Sequence, residues 1–87
     1  MRDDDVLLLA AQLEEDLLKL YGSPLLSADE LQKALGYRSI YALRQAMMRN
    51  TVPVKIFKLP NRRSQYALVK DIAYVLAKHA LADKEDE

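Results

Sequence analysis

The sequence predicts a small α+β domain, mostly helical with one β-hairpin. Three observations carry that expectation. Apolar residues recur at helical spacing in four stretches. Between Val52 and Leu68 the period drops from 3.6 to 2 on either side of a turn-rich Pro60-Asn61-Arg62-Arg63. A chain of 87 residues, 51% apolar with two Gly and three Pro, is globular and holds one core.

The first helix spans Asp3 to Tyr21. Asp3, Asp4 and Asp5 suit the positive end of its dipole, Gly22 supplies the stop, and Pro24 follows. At 100° per residue, Val6, Leu9, Ala10, Leu13, Leu17, Leu20 and Tyr21 form one stripe, and Leu7, Ala11 and Leu18 form a second beside it. One small core needs about 100° of apolar arc, and this helix offers nearly twice that. The surplus predicts a homodimer contact through Leu7, Ala11 and Leu18, unless a compact monomer covers both stripes.

Leu25 and Leu26 lead into Ser27-Ala28-Asp29-Glu30, a capping box that opens a short second helix. Leu31, Ala34 and Leu35 give its buried face, and Gly36 ends it. Ser39 then caps a third helix, Ile40 to about Asn50. Two helices joined by a three-residue turn containing Gly have the spacing of a helix-turn-helix. Ile40, Leu43, Met47 and in part Ala46 turn inward, while Tyr41, Gln45, Met48 and Arg49 face out with Arg38 just ahead. Forked guanidinium donors, an amide and a hydroxyl are the groups that read base edges and hold phosphates. An ordinary solvated face is the alternative.

Val52 to Leu59 reads as a strand entered at Pro53, and Ser64 to Leu68 as its partner, with Val54, Ile56, Tyr66 and Leu68 packing inward. Arg62 and Arg63 then sit at the hairpin tip, placed as a wing beside the third helix. The closing helix runs from Val69 or Lys70 to Ala82 and buries Ile72, Val75, Leu76 and His79, with Ala73 and Ala80 allowing close approach. The acidic segment 83–87 reads as a frayed tail. The resulting order is three helices, two strands and a fourth helix, divided as an N-terminal amphipathic helix (1–22), a winged helix-turn-helix (23–82) and the tail.

The formal net charge is zero, but the charges are sorted. Residues 31–70 hold nine basic side chains and no Asp or Glu, residues 1–30 balance to −6, and residues 71–87 to −3. Such a field predicts a polyanionic partner. The DNA-contacting set expected is Arg38, Ser39, Tyr41, Gln45, Arg49, Lys55, Lys58, Arg62 and Arg63.

Other chemistries lack their residues. There is no cysteine, so no thiolate metal site, disulfide or cysteine nucleophile is available. His79 is the one histidine, with no second histidine and no cysteine to join it as a metal ligand. Adjacent carboxylates occur at Glu14-Glu15-Asp16, in the capping box at Asp29-Glu30 and in the termini, with nothing apolar around Glu14-Glu15-Asp16 or the termini to separate their pKa values. No Gly-rich phosphate loop occurs. The expectation is a non-enzyme with no catalytic residues, metal, cofactor or small-molecule substrate. Met1-Arg2 followed by three aspartates is the wrong flank for a secretory signal, and no apolar run has bilayer length, so a cytoplasmic protein without a membrane partner is expected.

From Leu25 to His79 the chain resembles the MerR-like winged-helix group that includes phage excisionases and small prophage regulators. The resemblance lies in Leu26-Ser27-Ala28-Asp29-Glu30-Leu31, Leu35-Gly36-Tyr37, Ser39-Ile40-Tyr41, Val52-Pro53-Val54 and Tyr66 through Asp71-Ile72. It implies a double-stranded DNA-binding protein of a mobile element, either a transcriptional regulator or an accessory factor that bends DNA for a recombinase. The N-terminal helix is a departure from the minimal family domain. So is the closing helix, where Tyr74 alone stands for the aromatic common there. A protein-interaction module docking a partner through the N-terminal helix is the alternative function. RNA binding ranks below both, since no aromatic pair is set on a strand for base stacking.

Overall fold

The computed structural model describes the backbone of residues 3–85 and the side chains of residues 4–82. Its elements are α1 (Asp3–Tyr21), β1 (Leu25–Ser27), α2 (Ala28–Ala34), α3 (Ile40–Met48), β2 (Phe57–Lys58), β3 (Gln65–Leu68) and α4 (Val69–Glu85). The α+β class holds, with four helices and a three-stranded antiparallel sheet in the order β1-β3-β2.

The expected order of elements needs correction, because a strand precedes α2. Leu25, Leu26 and Ser27 pair with Leu68, Ala67 and Tyr66, and the Val69 N–H extends the ladder to the Pro24 carbonyl at 2.9 Å. This pairing sets the parity of β3. Leu26 is buried and lies opposite Ala67, so Ala67 faces the core, while Leu68 is exposed and Tyr66 half-buried. The inward face was expected to be Tyr66 and Leu68. A third strand bonded along one edge reverses that choice, since side chains alternate strictly along a strand.

The hairpin is also shorter than expected. Only Phe57 and Lys58 pair, opposite Tyr66 and Gln65, and residues 51–56 have no regular structure. Pro60 and Asn61 form the turn, with Asn61 at φ 63° and the Arg62 N–H bonded to the Leu59 carbonyl at 3.2 Å. A proline followed by a residue at positive φ is the chemistry of a type II turn.

Helix ends follow local rules. The Glu30 carboxylate accepts from the Ser27 N–H at 3.1 Å and from its hydroxyl at 3.3 Å. Gly36 at φ 79° ends α2, its N–H bonding to Lys33 O and that of Tyr37 to Gln32 O. The same motif ends α3 with Asn50 in place of Gly: at φ 62° it bonds to Met47 O, and Thr51 N–H bonds to Ala46 O at 2.9 Å. The α2–α3 connection therefore covers residues 35–39, longer than a three-residue turn.

The core gathers Leu26, Leu31, Leu43, Val54, Ala67, Val69 and Ile72 from β1, α2, α3, segment 51–56, β3 and α4, with Leu17, Leu18 and Tyr21 of α1 packed against it. α1 is thus no appendage. It ends where Pro24 meets the first residue of α4, and the two helices run back antiparallel, α1 alone being about 28 Å long at 1.5 Å per residue. Val6, Ala73 and Ala77 are buried along this pair. Ala77 takes the role expected of Ala80, which is exposed, and His79 is exposed rather than packed. α4 continues through Glu85, beyond the expected end at Ala82, and residues 86 and 87 lie outside the described residues.

Candidate functional site

Every one of the nine basic side chains between Leu31 and Lys70 is exposed. None makes an ion pair with another described residue; the pair Lys19–Glu15, 3.5 Å apart, lies on α1. The cations stand on α2 and α3, in the connection between them, on the segment after α3, on the hairpin and at the start of α4. The charge sorted along the sequence is therefore also presented to solvent.

α3 is turned differently from the expectation. Tyr41, Arg44 and Met48 form its most open line, with Tyr41 68% and Met48 81% exposed, whereas Gln45 is half-buried. Arg38 and Arg49 are exposed at its two ends. Ser39 is occupied as the N-cap, its Oγ accepting from the Ala42 N–H at 3.0 Å, so its part is to start the helix.

α3 and β3 face each other across a furrow. One section of about 280 Å³ is bordered by Arg44, Met47, Arg63 and Gln65, with Asp29 at its α2 end. A neighbouring section of about 410 Å³ lies between Arg44, Met48 and Gln65, and a third, of about 350 Å³, reaches Asn50 and Lys55. Met47 and Gln65 border all of them. Arg63 and Lys55 of the expected set are brought to this furrow. Arg62 instead reaches over the hairpin, its guanidinium 3.5 Å from the Tyr66 hydroxyl, and Lys58 is exposed on β2.

Arg44 is the residue that sequence reasoning missed. On a helical projection it falls close to Ile40 and so beside the inward face. The signal was present in the spacing of Tyr41, Arg44 and Met48, three and then four residues apart, which puts them on one line of a helix.

For the N-terminal helix, Leu7 and Leu8 are 58% and 66% exposed and Ala11 is exposed, but Leu18 is packed against the core. The open apolar patch is thus Leu7, Leu8 and Ala11, and Leu20 is exposed on another side. Among the described residues no group of three or more His, Asp or Glu is placed to hold a metal ion, and no helix is long and apolar enough to cross a membrane. Comparison of the chain with protein families, with curated proteins and with solved structures finds no match.

Proposed function

We propose that this domain binds double-stranded DNA as a winged helix-turn-helix, with α3 against the major groove and the β2–β3 hairpin as its wing. The observation that carries the proposal is the exposed set of cations on α3 and the hairpin, which Arg44 and Arg63 bring to one furrow where Asp29, at the α2 end, is the one acidic side chain. Arginines on a helix can fork onto guanine edges, and those on a hairpin can hold phosphates, so the two elements supply different halves of recognition. The protein is a transcriptional regulator or a recombinase accessory factor, and it acts without catalysis.

The test is the salt dependence of duplex binding. With about four to six phosphates neutralised per protomer, log affinity falls with log salt at a slope of roughly −4 to −5. A slope near zero would remove the proposal and favour the second reading, a protein-interaction module. That reading draws on the open Leu7, Leu8 and Ala11 patch. Under the DNA-binding reading the same patch joins two protomers, as dimeric DNA-binding proteins do when they address paired half-sites.

A further inference from the structure

A second depression lies on the α4 side of segment 51–56, across Val54 and Lys55 from the furrow, with a volume of about 590 Å³. That is within the range of small-molecule sites, about 300–1,000 Å³. Its floor is apolar. Val54 is buried, Val75 is half-buried, and Tyr74 is 44% exposed, a large aromatic left open to the cleft. Its rim is cationic, with Lys55, Lys70 and Lys78 all exposed against the one carboxylate of Asp71. None of these lysines makes an ion pair with another described residue.

An apolar floor under an ammonium rim suits an anion with an apolar body, and the open face of Tyr74 favours a compact ring over a flexible chain. The ring would cover Tyr74 and the two valines, removing apolar surface from water, and the anionic group would take the lysines. A phosphodiester backbone satisfies only the rim, since it brings no apolar body to the floor. We propose that this cleft binds a small aromatic carboxylate, held as a ligand and not turned over. Val54 and Lys55 border both this cleft and the furrow beside α3, and they belong to a segment without helix or strand. A ligand here therefore touches the chain that lines the candidate DNA surface; this regulatory extension alone rests on the DNA-binding reading.

The experiment uses the full chain, with salicylate as probe and salicyl alcohol as its uncharged counterpart, followed by amide and methyl NMR shifts. The expected result is saturable salicylate binding with shifts confined to residues 54–56 and 70–79. Salicyl alcohol should bind at least about tenfold more weakly, equivalent to about 1.4 kcal/mol. Lys70→Gln with Lys78→Gln should weaken salicylate by about tenfold and leave salicyl alcohol unchanged, while Tyr74→Ala should weaken both. All three side chains are exposed, so the fold should survive. Absence of saturation, equal affinity for the two probes, or shifts centred on Leu7 and Leu8 would overturn the proposal. So would a lysine variant that loses duplex DNA as strongly as salicylate, since the cleft would then be a backbone contact. The salicylate measurements need no DNA, so they stand or fail apart from the salt-dependence test.

Discussion

Leu26 and Ala67 face each other across the β1–β3 pair, and both are fully buried. A side chain as large as leucine fits opposite alanine because the pair lies between the helices and the sheet, where one large and one small residue fill a single layer. Leu26→Ala should cost about 3 kcal/mol in chemical denaturation through the cavity it leaves. Ala67→Leu should cost about 1 to 3 kcal/mol by overpacking. Leu68→Thr, on the opposite face, should stay within about 0.5 kcal/mol. If Leu68→Thr proved the costly change, the parity of β3 would be the reverse of that described.

The two apolar sides of α1 should respond differently. Leu18 packs against the core, so Leu18→Glu should destabilise the fold by about 2 kcal/mol or more. Leu7→Gln with Leu8→Gln should leave stability nearly unchanged and, in the proposed dimer, yield a folded monomer. Sedimentation of the wild type as a monomer at high concentration would assign the patch no role in self-association.

Arg44, Gln45, Arg49, Arg62 and Arg63 separate reading from gripping. An α3 side chain that reaches a base edge contributes about 1 to 3 kcal/mol of discrimination. Arg44→Ala should therefore relax preference at one or two positions of a selected site, with Arg49→Ala next. Gln45→Ala should do so least, because Gln45 is half-buried. Arg62→Ala with Arg63→Ala should weaken all duplexes alike and flatten the salt slope by up to about two units. Binding of each variant to a selected and a random duplex at two salt concentrations decides between these patterns. Unchanged binding by the α3 variants would mean that this helix is not the reader.

Asn50 closes α3 in a left-handed conformation, φ 62°, where a β-carbon is unfavourable and asparagine is among the better tolerated residues. Asn50→Ala should lower the melting temperature by an amount equivalent to about 1 kcal/mol, while Asn50→Gly should be near neutral. Equal effects of the two substitutions would show that φ does not limit this site.

The first three helices were legible because each carries its own punctuation. Gly22, Gly36 and Ser39 mark boundaries that depend only on residues within a turn of them. β1 was not legible, because Leu25-Leu26-Ser27 is too short to display a period and gains its strand character only by pairing with residues 66–68. The error at β3 follows from that omission. Val52 to Ile56 has strand-forming residues but no partner strand, so composition promised pairing that the fold does not supply. On the candidate site, exposure of the cations could be expected from charge alone. The rotation of α3 that opens Arg44 and half-covers Gln45 depends on the rest of the packing.

The antiparallel pairing of α1 with α4 also bears on kinetics. Val6 and Ala77 are buried along two helices separated in sequence by every other element of the fold. Closing so long a loop costs entropy before the pair contributes anything, whereas α2, α3 and the hairpin can assemble from near neighbours. Substitutions at Ala73 and Ala77 should therefore hasten unfolding while leaving the refolding rate almost untouched, and substitutions at Leu31 and Leu43 should slow refolding. Stopped-flow refolding and unfolding of the two sets would measure this. The α1–α4 pair then acts as a late clasp, setting how long the assembled domain persists rather than how quickly it forms.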